Sequence, residues 1–136
     1  MNTCQEKNRT KFAKGFSLVE MLASVAIIGV IAFLAIPSVS RMREDSERNL
    51  AIARAEALNV AMATMVQMKG RAQAQTDWSN ATTDDAKYIR LQPYLSFAET
   101  TLALYFPSGY TTIFDDTITD MRKVRLFGAN EDEIFY

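Results

Sequence analysis

Apolar residues run almost unbroken from Phe16 to Ile36, interrupted by Ser17, Glu20 and Ser24, with Gly29 near the middle. A helix over these residues is apolar on every side and roughly 31 Å long, about the thickness of a bilayer's hydrocarbon core. Beyond Pro37 the pattern changes. Residues 41–75 are rich in Ala, Met, Leu, Arg and Glu, hold no proline and contain a single glycine, Gly70. These are good helix formers. Leu50, Ala53, Ala57, Val60 or Ala61, and Met68 recur at helical spacing, and Leu58, Met62, Met65 and Val66 widen that stripe. Arg41 with Asp45, Arg43 with Glu47, and Glu44 with Arg48 are opposite charges one helical turn apart, suited to a solvated surface. The pattern predicts one nearly continuous helix from Phe16 to about Gln75, lipid-compatible in its first half and amphipathic in its second.

After that helix the period weakens. Thr76 to Thr83 reads as a loop, and Asp84 or Asp85 is placed to cap a short helix running to Gln92 and halted by Pro93. Leu102–Phe106 reads as extended, Pro107-Ser108-Gly109 as a turn, and Tyr110–Phe114 and Val124–Phe127 as strands. The fold class expected is α+β, a long N-terminal helix packed on a small C-terminal antiparallel β region. It divides into a leader at 1–15, an apolar helix at 16–36, its amphipathic continuation at 37–75 and a small head at 76–136. A head of that size buries little by itself. Leu58, Met62 and Met65 are therefore expected beneath the β region, with the helix as the second layer.

Charge is near balance overall but unevenly spread. Lys7, Arg9, Lys11 and Lys14 face Glu6 alone before the apolar run, whereas Arg41, Arg43 and Arg48 after it are offset by Glu44, Asp45 and Glu47. The positive-inside bias places the N-terminus in the cytoplasm and the head on the other side of the membrane. No later basic stripe points to nucleic acid as a specific partner. Histidine is absent and Cys4 is the sole cysteine. That removes the commonest general base and zinc ligand, any Cys–His nucleophile and any disulfide within the chain. No enzymatic activity and no cofactor is expected.

Glu20 is the chemically informative residue, because an ionised carboxylate in a membrane segment is costly and functional by default. It follows Phe16 by four residues, which on a continuous helix puts both on one face. The stretch Lys14-Gly15-Phe16-Ser17-Leu18-Val19-Glu20, joined to a spanning helix, resembles the N-terminal signal of type IV prepilins and type II secretion pseudopilins. The resemblance covers roughly residues 11–40. It implies cutting between Gly15 and Phe16 by a prepilin peptidase, N-methylation of Phe16, and a role for Glu20 in meeting an N-terminal amine during assembly. The amine is the subunit's own or a neighbour's. The resemblance also implies that Gly29 and Pro37 weaken the helix, and that the partners are other copies of the chain, minor pilins or pseudopilins, and an inner-membrane assembly platform. The implied product is a structural subunit of a pilus or secretion pseudopilus, single-pass in the inner membrane before it enters a periplasmic or extracellular filament.

Two other readings compete. Ser38-Val39-Ser40 offers small residues to an ordinary signal peptidase, which makes a secreted protein cut near Ser40. A membrane-anchored adhesin or DNA receptor that never polymerises fits the same anchor. In the head, Asp115, Asp116 and Asp120 are weak candidate oxygen ligands for Ca²⁺, an ion that major pseudopilins often hold in this region, although no ligand-loop spacing accompanies them.

Overall fold

The computed structural model describes residues 15–136 and divides into two compact units, one ending at Ser40 and one running Arg41–Tyr136. The leader expected at 1–15, with its basic residues and Cys4, lies outside the described residues except for Gly15. Helix α1 spans Leu18–Lys69 and belongs to both units. In the first unit every described residue is exposed, including Leu22, Ile27, Ile31 and Leu34. An apolar helix with nothing packed on it suits a membrane rather than a protein interior. Helix runs through both Gly29 and Pro37.

In the second unit α1 is followed by α2 (Arg71–Ser79), α3 (Asp84–Leu91), a 3₁₀ turn at Gln92–Tyr94 and α4 (Leu102–Tyr105). Strands β1 (Thr111–Ile113), β2 (Arg125–Phe127) and β3 (Glu133–Ile134) then form an antiparallel meander in that order. Thr112 pairs with Leu126, which pairs with Ile134 on its other side. The architecture is the α+β arrangement expected. Its core joins Ala51, Ala55, Leu58, Ala61, Met62, Met65 and Val66 of α1 to Trp78, Tyr88, Leu91, Tyr105, Phe114, Ile118, Val124 and Leu126. Leu58, Met62 and Met65 are buried as anticipated, in one cluster with residues of the β region.

The leading stripe of the sequence pattern is only partly buried. Ala53 is exposed and Leu50, Val60 and Met68 are 45%, 63% and 74% exposed, whereas Ala61, the alternative to Val60, is buried together with Leu58, Met62, Met65 and Val66. The small Ala51 and Ala55, both fully buried, occupy the N-terminal part of the buried face, where they let neighbouring segments approach closely. Of the three expected charge pairs, Arg43–Glu47 closes, at 3.0 Å.

Several local expectations are corrected. The helix does not run unbroken to Gln75. Gly70 takes φ +82°, a left-handed conformation that ends α1 at Lys69, and α2 starts one residue later. Helix then continues to Ser79, into the expected loop, because Trp78 is buried. Its ring meets Phe114 edge-on at 5.5 Å, and its Nε1 donates to the Asp115 carbonyl at 2.9 Å. Thr83, not Asp84 or Asp85, caps α3, its hydroxyl accepting from the Ala86 N–H at 3.2 Å. The two carboxylates instead pin loops, Asp84 accepting from the Phe114 N–H and Asp85 from the Leu102 N–H. Leu102–Phe106 is not extended. Thr101 caps a single helical turn that turns both Leu102 and Tyr105 into the core, whereas a strand would send them to opposite faces.

The turn at Pro107–Tyr110 forms as expected, with the Tyr110 N–H donating to the Pro107 carbonyl at 3.1 Å and Gly109 at φ +87°. A side chain there would also press on Ala129, whose Cβ lies 3.1 Å from the position a Gly109 Cβ would take.

Polar contacts seal the C-terminal segment to α1. Asn59 Oδ1 accepts from the Val124 N–H at 2.9 Å, the Tyr136 hydroxyl donates to the Val124 carbonyl at 2.6 Å, and Lys123 Nζ bridges Glu56 and the Tyr136 carbonyl oxygen, each at 2.7 Å. Lys123 holds the Glu56 carboxyl below its ordinary range, as Lys69 does for Asp77 and Arg125 for Glu133.

Two outcomes follow for the head. Leu58→Ala is expected to destabilise it by about 2–5 kcal/mol, and Val60→Ala, two residues away on the exposed face, by no more than about 0.5 kcal/mol. Thermal melting of the two variants against the parent checks this, and equal effects would contradict the observed helix face. The depressed pKa values of Glu56, Asp77 and Glu133 stabilise the fold fully above their unfolded pKa of about 4 and progressively less as pH falls through the lower folded values. The melting temperature is therefore expected to hold from neutrality to about pH 5 and to fall below about pH 4, with Glu56→Gln showing a smaller acid loss.

Candidate functional site at the start of the apolar helix

The polar residues of the apolar segment form one local network. Gly15, Phe16 and Ser17 are not helical, and α1 begins at Leu18 with Ser17 before it. The Ser17 N–H donates to Glu20 Oε2 at 2.8 Å, and the Glu20 N–H donates back to the Ser17 hydroxyl at 3.2 Å. This reciprocal pair is a capping box, which satisfies two of the backbone donors that a helix start leaves open. One turn further on, Ser24 donates its hydroxyl to the Glu20 carbonyl at 2.8 Å. Ser17, Glu20 and Ser24 fall three and four residues apart, so all the polar side chains between Phe16 and Ile36 line one side of the helix start.

The structure revises one sequence argument. Phe16 precedes the helix, so it does not share a helical face with Glu20 as the spacing had suggested. The link runs instead through the backbone. Glu20 holds the amide N–H of Ser17, the group next along the chain from Phe16. The Gly15–Phe16 bond lies in non-helical, exposed chain, with Phe16 83% exposed. The spacing from Ser17 to Glu20 is itself a capping-box signature in the sequence.

The acidic candidates of the head do not converge. Asp115 accepts from its neighbour's N–H through Oδ1 at 2.8 Å and faces Arg122 through Oδ2 at 3.5 Å. Asp116 faces the buried Lys87 at 3.5 Å, and Asp120 accepts from the Thr117 hydroxyl at 2.9 Å. Among the described residues no group of three or more Asp, Glu, His or Cys side chains is placed to hold a metal ion.

Comparison with known proteins agrees with the site at the start of α1. One family model, the prokaryotic N-terminal methylation motif, matches residues 10–36. No curated protein and no solved structure matches the chain. The motif is the N-terminal signal of type IV pilins and pseudopilins, and the long helix that begins within it is consistent with that signal.

Proposed function

For this type IV pilin-like or pseudopilin precursor, we propose a structural role as a filament subunit stored in the inner membrane. The prepilin peptidase cuts after Gly15, the new terminal amine on Phe16 is methylated, and Glu20 meets an N-terminal amine as subunits assemble through a membrane platform. The N-terminus faces the cytoplasm, and the head lies outside the membrane until the subunit joins other copies and minor subunits in the filament. One observation carries the reading. The single carboxylate between Phe16 and Ile36, in a wholly exposed apolar helix, sits at the first turn of that helix, four residues past a non-helical Phe16, inside the matched motif. Gly29 and Pro37 are the positions at which α1 gives way in the filament, since Pro37 lacks the N–H that would reach back to Phe33.

This reading is favoured over a secreted protein cut near Ser40, because Ser38, Val39 and Ser40 lie within α1. It is favoured over a permanent anchor because an ionised carboxylate in a membrane segment is costly and functional by default, and Glu20 lies inside the matched motif.

Processing is tested by replacing Gly15 with Leu. The expected outcome on immunoblots is a full-length precursor held in the inner membrane, and normal conversion to a chain starting at Phe16 would place the cut elsewhere. Assembly is tested by Glu20→Ala, which leaves the apolar segment more apolar and lies beyond the cut bond. Insertion and cleavage should persist while sheared filaments are lost. A buried charge stripped of its partner costs on the order of 3–5 kcal/mol, and even the lower end slows each addition step by about a hundredfold. Abundant filaments from processed Glu20→Ala protein would refute the role.

A further inference from the structure

We infer that Ser17 is the positioning residue for Glu20, and that the capping box between them presents the carboxylate to the incoming amine in a fixed orientation. The inference rests on the reading that Glu20 acts in assembly. Its basis is the distribution of hydrogen-bonding capacity along the polar side of the helix start. Ser17 spends its N–H on Glu20 Oε2 and its hydroxyl on the Glu20 N–H, and Ser24 spends its hydroxyl on the Glu20 carbonyl. Glu20 Oε1 and the Ser24 hydroxyl oxygen accept from no group among the described residues, and of the two only Oε1 belongs to a carboxylate able to meet a cation.

The physical consequence concerns both orientation and entropy. A glutamate on an apolar helix has three rotatable side-chain bonds, and fixing them on contact with a partner weakens the contact. The capping box fixes them beforehand. It also keeps one oxygen engaged in hydrogen bonding while the segment is in lipid, where an unsatisfied polar group is expensive. An ammonium group then meets an oriented Oε1 through a charge-assisted hydrogen bond, with Oε2 still tied to the helix start. The hydroxyl of Ser17 belongs to this device because it locks the Glu20 backbone N–H, and with it the geometry of the first turn from which the side chain reaches back.

Whole precursor variants expressed with the processing and assembly machinery test the proposal, with filament yield measured per processed subunit in the membrane. Ser17→Ala is expected to lower that yield about fivefold, and Ser17→Thr, which caps in the same way, to restore it. The discriminating variant is Ser17→Gly. Glycine serves almost as well as serine for starting a helix but has no hydroxyl to close the box. Positioning predicts that Ser17→Gly falls as far as Ser17→Ala. A normal yield from Ser17→Gly with a reduced yield from Ser17→Ala would mean that Ser17 is a helix cap and nothing more, and normal yields from all three would also overturn the inference. Glu20→Ala measured alongside separates the two levels. Normal filaments from it would defeat the underlying role of Glu20, whereas loss of filaments in Glu20→Ala with normal Ser17→Ala and Ser17→Gly would defeat the positioning role alone.

Discussion

Burial of one face of α1 is the interaction on which the head depends. The sheet is three short strands, and its inner residue Leu126, with Val124 just before β2, shares a single cluster with Leu58, Met62 and Met65 of the helix and with Trp78, Tyr88 and Tyr105 from the elements between. Without the helix those strands would be a small isolated meander, a unit at the edge of independent stability in water. The remaining details serve this packing. Gly70 ends α1 before α2 carries Trp78 into the core, Asp84 pins the chain just after β1, Asp85 pins the start of α4, and the buried Lys87 ties the Asp115–Asp116 loop to α3. Buried lysine is rare unless paired, and the Asp115 carbonyl, the Asp116 carboxylate and the face of Trp78 supply that pairing here.

The first unit obeys a different constraint. Among the described residues nothing buries Leu18 to Ile36, so this apolar helix suits an apolar solvent, a bilayer or a wall of like helices. In such a solvent each polar group has to be satisfied locally or by a partner. Ser17, Glu20 and Ser24 settle most of that demand among themselves within the first turns. A chain with this division of labour suits storage in one phase and assembly in another, because the head folds on α1 residues from Ala51 onward, beyond the apolar segment.

Much of this was legible in the sequence, for identifiable reasons. An apolar run of membrane length, a lone glutamate near its start and a Gly-Phe junction are features of composition and order, and need no knowledge of tertiary contacts. Which side of α1 faces the head was less legible. An alanine-rich helix carries overlapping apolar stripes, so periodicity placed Leu58, Met62 and Met65 correctly but left Val60 or Ala61 open and did not mark Ala51 and Ala55, which are fully buried with Ala61. Helix at Thr76–Ser79 and at Leu102–Tyr105 was hidden by polar or strand-like composition, since burial of Trp78, Leu102 and Tyr105 outweighed local propensity. Strand β3, at two residues, is too short to leave a period. Charge counts also did not reveal that Lys87 and Arg122 stand beside Asp116 and Asp115.

Processing by a prepilin peptidase, as proposed, would leave a chain that begins at Phe16. Intact-mass and N-terminal fragment analysis of the protein purified from membranes measures this directly. The account predicts a chain starting at Phe16 with one methyl group on its terminal amine and with Glu20 retained in the first turn. A protein starting at Arg41, or one that keeps its leader in a cell with an active prepilin peptidase, would contradict it.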